Sequence, residues 1–280
     1  MPETWKVLNV RVDGTQRQEV LDQIQEKLTQ GGKFYITTPN PEIVLKASKD
    51  RKLKDIIGQS LIAIPDGVGL LIASKFLNMQ KFRSKTIRKL VYPCQLLLCA
   101  VIGRDGVVRG RELMLDLFDV ANKGKKKVYL LGATKGVNAK ALDKFESEYP
   151  GAKVRGSSGP IITDIAKPLG RLQEKINRDA INQINKFRPD ILIVAFGCPK
   201  QEKWIAKWLS RLNVKCAMTV GGALDYYAGV AKLPPKVLSR LGLEWFWRLA
   251  REPKKRIKRV VNAIFIFPWT VFKFKLQTQV

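Results

Sequence analysis

"PDILIVAFGCPKQEKW" (residues 189–204) decides the fold class. From Ile191 to Ala195 there is no polar residue, so the run cannot belong to a strand with one face in water, which would alternate. It suits a strand of a parallel sheet buried on both faces. "KQEKWIAKWLSRL" (200–212) then predicts a helix. The same unit recurs on either side. "KKVYLLGAT" (126–134) predicts a strand and "GVNAKALDKFESEYPG" (136–151) a helix. "AKVRGSSGP" (152–160) runs from strand into loop, "LQEKINRDAINQINKF" (172–187) is a helix, and "VKCAMTVGGALDYYAG" (214–229) is a strand with a glycine-rich end. Upstream, "WKVLNVRV" (5–12), "KFYITT" (33–38) and "LIAI" (61–64) read as strands. "TQRQEVLDQIQEKLTQGG" (15–32), "IVLKASKDRKLKDII" (43–57), "LLIASKFL" (70–77) and "GRELMLDLFDVANKG" (110–124) read as helices. The expected fold is α/β, a Rossmann-like, mostly parallel sheet with helices on both faces, carrying a basic amphipathic C-terminal appendage. A catalytic domain over 1–230 and an appendage over 231–280 are expected, with an apolar and basic insertion at 78–106.

In such sheets ligands bind outside the carboxyl ends of the strands. "TTPNPE", "IPDGVG", "LLGATKG", "AFGCPKQE" and "VGGALDYYAG" all fall at such ends. The second places Asp66 on a strand-to-helix crossing within an apolar run. A carboxylate there is paired, solvated at the strand end, an N-cap of the following helix, or poised for chemistry. "GATKGV" is neither a P-loop nor a full GxGxxG, which disfavours a dinucleotide-dependent oxidoreductase.

The chain of 280 residues has 51 Lys and Arg against 24 Asp and Glu, a formal net charge of +27, and no histidine. The charge implies an anionic partner: nucleic acid, a membrane surface or a phosphorylated substrate. No RRM, KH or helix-turn-helix signature accompanies it, which argues against nucleic acid. Without histidine there is no Ser-His or Cys-His mechanism, and a general base at neutral pH is expected to be a carboxylate. The four cysteines form no CxxC pair, and no metal site is expected. "MPETWKVLNVRVDG" lacks a signal-peptide pattern, and no apolar run reaches the ~20 residues of a membrane span. A cytoplasmic location is the expectation. "LVYPCQLLLCAVIG" (90–103) and "VVNAIFIFPWTVF" (260–272) are shorter apolar stretches with basic flanks. In "REPKKRIKRVVNAIFIF" (251–267), Ile257, Val260, Val261, Ile264 and Phe265 share one helical face beside Lys254, Lys255, Lys258 and Arg259. That pattern suits an anionic membrane surface, contacted through 251–272 with 90–103 as a second contact.

"TPNPEIV", "IPDGVGLL", "VYLLGATKGV", "AFGCPKQEKWI", "VGGALDYYAG" and "GLEWFWRLAREPKKRI" occur here in the order in which similar segments occur in the WecG/TagA/CpsF family of bacterial glycosyltransferases. The resemblance covers most of residues 5 to 260. It implies inverting, metal-independent transfer of an N-acetylhexosamine-type sugar, ManNAc in particular, from a UDP donor. The implied acceptor is a polyprenyl-diphosphate-linked sugar at the inner face of the cytoplasmic membrane, with a product feeding cell-surface polysaccharide. No cofactor is implied, and a homo-oligomer is left open. Residue by residue, the resemblance implies Asp66 as base, Thr38 and Asn40 beside the reacting sugar and diphosphate, and Gln201 and Gly197 near the donor. It implies Asp225 at the uridine ribose, Gly132 and Gly136 at the nucleotide, and Arg248 and Arg251 as binding cations from the basic tail. The family pattern "R-V-T-G-x-D-L" reads "V-V-R-G-R-E-L" (107–113) here, so Val107 takes the place of an arginine and Arg109 or Arg111 is expected to substitute. A membrane- or nucleic-acid-binding protein on a Rossmann-like scaffold, without transferase activity, is the alternative.

Overall fold

The computed structural model describes residues 3–14, 16–102, 109–235, 238 and 244–278. At its centre is a six-stranded, all-parallel sheet in the order β4-β3-β8-β7-β5-β6. Its strands are β3 (Phe34–Thr37), β4 (Ile62–Ala63), β5 (Lys127–Gly132), β6 (Lys153–Ser157), β7 (Ile191–Ala195) and β8 (Cys216–Thr219). The continuous apolar runs have their explanation in two cores. Val128, Leu130, Ile191, Ile193 and Met218 pack under α1 (Arg17–Gln30), α6 (Gly110–Lys123) and α7 (Lys135–Glu148). The intervening Tyr129, Leu131, Leu192, Val194 and Ala217 meet α3 (Arg51–Gln59), α8 (Gly170–Phe187) and α9 (Lys200–Trp208) on the other face.

"WKVLNVRV" is not one strand. Leu8 and Asn9 take φ of 52° and 62°, and the chain turns back as an antiparallel hairpin, β1 (Glu3–Val7) and β2 (Val10–Gly14). A two-residue turn with both φ positive matches the twist of paired strands, and Asn tolerates that conformation. The hairpin ties itself to the β4 edge. Arg11 donates to the carbonyls of Gly58, Ser60 and Leu61, and the buried Asp13 accepts from the Ala63 amide at 2.9 Å.

The segment 43–57 is likewise two helices, α2 (Pro41–Ala47) and α3. Asp50 breaks it by accepting from the Leu53 amide at 3.0 Å as the N-cap of α3. A short polar side chain there offers the backbone an alternative to continuing the helix.

The 78–106 insertion holds the helix α5 (Lys85–Ile102), which packs on α4 (Val68–Asn78). Val107 lies outside the described residues. The C-terminal part comprises α10 (Ala223–Tyr227), α11 (Glu244–Arg251), α12 (Pro253–Val261), a π-helical turn (Asn262–Ile266) and α13 (Phe267–Gln277). Pro268 cannot donate to the carbonyl of Ile264, and the wide turn directly precedes it. The turn interrupts the expected stripe. Val260 is buried, but Ile257, Val261 and Phe265 point to solvent. Among the described residues, no helix is long and apolar enough to cross a membrane. Instead α13 lies across α4 and α5, where Phe267 and Val271 join the core of Phe76, Tyr92 and Cys99. Lys275 is buried in that seam, donating to the Phe76 carbonyl and to Gln95 Oε1, with its amine over the rings of Phe76 and Tyr92.

Candidate active site

The carboxyl ends of β4, β3, β8 and β7 open side by side, and the loops that leave them border one cleft. Its lining includes Thr38, Asn40, Asp66, Gly197, Gln201 and Gly221 from those loops, and Arg109, Gly110 and Arg111 from the start of α6. Tyr226 comes from α10, and Arg256 and Arg259 from α12.

Asp66 is half-buried. Its amide donates to the Pro39 carbonyl at 2.7 Å, and the Ile64 amide donates to Thr37 at 2.9 Å, so the β4 loop is laid along the β3 loop. The N-cap of α4 is Gly67, at a φ of 97°. Asp66 therefore stands one residue before the N-cap position weighed for it.

Thr38 is buried, and its hydroxyl donates to the Thr219 carbonyl at 3.1 Å, joining the ends of β3 and β8. Asn40 caps α2 by accepting from the Ile43 amide at 3.0 Å, which leaves its NH2 for a ligand. Gly110 brings α6 against this loop. A Cβ there would stand 2.9 Å from Thr38 Cγ2, so only glycine lets Arg109 and Arg111 reach the cleft at this separation.

Gln201 is buried, and its hydrogen bonds run to the scaffold. Its Oε1 accepts from the amides of Gly197 at 3.1 Å and Gly221 at 3.0 Å, bridging the loops after β7 and β8. Its Nε2 donates to Glu202 Oε1 at 2.9 Å. Burial pushes the Glu202 carboxyl up from its ordinary value, and it pushes the Cys198 thiol beside it up as well.

Other expected residues lie outside the lining. Gly132, at a φ of 105°, serves the meeting of β5 and β7, since a Cβ there would fall 2.7 Å from the Ala195 carbonyl carbon. Gly136 lies in the first turn of α7. Asp225 is on α10, one residue before Tyr226, its carbonyl accepting from the amides of Val230 and Ala231. Arg251 stands over the Trp247 ring at 4.5 Å, and the Arg248 side chain lies outside the described residues. To the lining α12 supplies Arg256 and Arg259, which sequence reasoning missed along with Glu42 and Tyr226. The one available signal was their i, i+3 spacing, which sets both on a side of α12 away from Ile257 and Val261. Arg256 pairs with Glu252 at 2.7 Å and Arg259 with Glu42 at 3.5 Å. Arg109 lies 3.4 Å from Glu112, and Arg111 sits over the Tyr226 ring at 5.8 Å. Four guanidinium groups against Asp66 and Glu42 make the lining basic, suited to a polyanion such as a diphosphate.

A model described as the "Glycosyl transferase WecG/TagA/CpsF family" matches residues 5–280. Among curated proteins the chain is similar to an N-acetylglucosaminyldiphosphoundecaprenol N-acetyl-beta-D-mannosaminyltransferase of Bacillus subtilis (strain 168), 32% identical over 230 residues, 81% of this chain and 75% of the relative. It is 28% identical over 271 residues to the protein of the same name from Staphylococcus aureus (strain MRSA252), covering 96% of this chain and 92% of the relative.

Proposed function

The chain belongs to the WecG/TagA/CpsF family of glycosyl transferases, and we propose that it moves N-acetylmannosamine from a UDP donor to a polyprenyl-diphosphate-linked N-acetylglucosamine. The sugar and the acceptor follow from the names of the relatives. The observation that carries the mechanism is a half-buried carboxylate, Asp66, in a cleft lined by four arginines.

In this reading Asp66 takes the proton of the acceptor hydroxyl while that oxygen forms its bond to the anomeric carbon. The bond from the anomeric carbon to the diphosphate oxygen breaks in the same displacement, and its electron pair leaves with UDP. One displacement inverts the anomeric centre. The negative charge that grows on the leaving diphosphate falls to the guanidinium groups of Arg109, Arg111, Arg256 and Arg259, and to the Asn40 amide. The cleft holds about 190 Å³, less than the ~300–1,000 Å³ usual for small-molecule sites, so a nucleotide sugar extends past its mouth. In this reading it extends toward Asp225 on α10, Gly132 at the end of β5 and Gly136 on α7.

The acceptor's lipid asks for a membrane surface, and two exposed apolar tracts support one. On α5, Ile87, Leu90, Cys94, Leu97 and Leu98 face solvent on the side opposite Tyr92, Gln95 and Cys99. On the tail, Val261, Phe265, Ile266 and Trp269 are exposed. Lys81, Arg83 and Lys89 stand at one end of the α5 tract, as an anionic leaflet would require. Peripheral attachment at the cytoplasmic face of the membrane is part of the proposal.

The test is UDP release with a panel of UDP-sugars, a short-chain polyprenyl-diphosphate-GlcNAc acceptor, and EDTA present. Acceptor-dependent release from UDP-ManNAc that survives EDTA is expected. Release from every donor without acceptor, or none from any, would defeat the reading.

A further inference from the structure

Glu202 follows Gln201 on the first turn of α9, is 1% exposed, and does not line the cleft. Its Oε1 accepts from Gln201, whereas its buried Oε2 has no hydrogen-bond partner among the described residues. No ion pair reaches it among the described residues; Lys46, the cation that acts on it, is paired with Glu42 at 3.1 Å, and its other titratable neighbour is the Cys198 thiol. A carboxylate with a bare, buried oxygen carries a desolvation cost that the N-terminal dipole of α9 does not offset. A proton on Oε2 removes the charge and with it the larger part of that cost, leaving a neutral hydroxyl beside the Cys198 thiol.

Gln201 depends on this neighbour. Two backbone N–H groups converge on its Oε1, so the amide cannot flip without setting NH2 against two donors. Its Nε2 must therefore point at Glu202, which has to present an acceptor.

We propose that Glu202 is held as a neutral carboxylic acid and is a positioning residue of the cleft, locking Gln201 so that its carbonyl oxygen clamps the loops after β7 and β8. A neutral acid also keeps negative charge away from the bound diphosphate; that second role rests on the nucleotide-sugar reading of the cleft. The direction in which burial moves this carboxyl agrees.

Two variants and one spectrum test this. Glu202→Gln keeps a neutral acceptor of the same shape, and its kcat and KM are expected within about threefold of wild type. Glu202→Met keeps the volume but leaves Gln201 Nε2 without a partner, and its kcat is expected to fall by roughly tenfold or more while it remains folded. The infrared difference spectrum of wild type minus Glu202→Gln at neutral pH is expected to contain a protonated-carboxyl C=O stretch. A carboxylate band in its place overturns the neutral acid, with or without turnover, so the outcome is independent of whether the transferase reading stands. A tenfold loss in folded Glu202→Gln, or full activity in folded Glu202→Met, overturns the positioning role.

Discussion

Replacing Asp66 by Asn removes the proposed base while keeping the shape of the side chain. The side chains are isosteric, the Asp66 amide still donates to Pro39, and the N-cap position of α4 belongs to Gly67. Stability is expected to change by less than ~0.5 kcal/mol, as for a surface substitution. A general base contributes roughly 10²–10⁴ in rate. Asp66 is half-buried, so water can reach the acceptor hydroxyl and take over part of its task. That places the expected loss in the lower part of the range, ~10²–10³ in kcat, or about 2.7–4.1 kcal/mol at ~1.36 kcal/mol per decade. The assay is acceptor-dependent UDP release under saturating donor, with UDP affinity by calorimetry and thermal melting beside it. Affinity and melting should hold while kcat falls. A folded Asp66→Asn protein within about threefold of wild-type kcat would refute the base, since a group whose basicity is immaterial is not taking the proton.

Arg256→Ala and Arg259→Ala should each lower kcat/KM by roughly 10- to 100-fold, the worth of a charged hydrogen bond to the diphosphate, with melting unchanged because their ion pairs are partly exposed. Leu90→Glu with Leu97→Glu should weaken sedimentation with vesicles of anionic lipid and leave UDP affinity as it was; equal sedimentation would remove α5 from the membrane face. Lys275→Met bears on pH. Burial pulls the Lys275 ammonium down to about 8 from the ordinary lysine value, so the unfolded chain binds the extra proton between that value and the ordinary one. Wild-type stability should therefore rise relative to Lys275→Met as pH climbs above about 8, read by urea denaturation at a series of pH values; a constant difference would place the amine in water.

The sheet was legible because a run such as Ile191–Ala195 has only one physical home, between two layers of helices. With the strands placed, polar and glycine residues at their carboxyl ends had to converge, and Thr38, Asn40, Asp66, Gly197 and Gln201 do line one cleft. Local breaks were less legible. Leu8–Asn9 folds the first strand back without a glycine, and Asp50 ends a helix that its neighbours would continue. What a side chain does after arriving was hardest to read. Gln201 stands at the cleft as the motif implied, but it holds Gly197 and Gly221 together, because a buried amide satisfies its strongest demands with the nearest backbone donors.

The same limit explains the arginines of the tail. In sequence, Arg256 and Arg259 are two charges in a basic cluster beside an apolar stripe, and the cluster reads as one surface addressed to one partner. In the fold α12 splits that surface. Arg256 and Arg259 turn toward the cleft, near residues more than two hundred positions earlier in the chain, and Ile257 and Val261 turn to solvent. The proposed transfer asks for that division, because the donor's diphosphate must be neutralised within reach of the membrane that anchors the acceptor. Added salt tells the two duties apart. Screening weakens long-range attraction of exposed lysines to a bilayer more than short contacts inside a cleft. Rising salt should therefore release the protein from anionic vesicles before it costs activity on a short-chain, water-soluble acceptor. Parallel loss of both would mean that the tail's charges act as one surface after all.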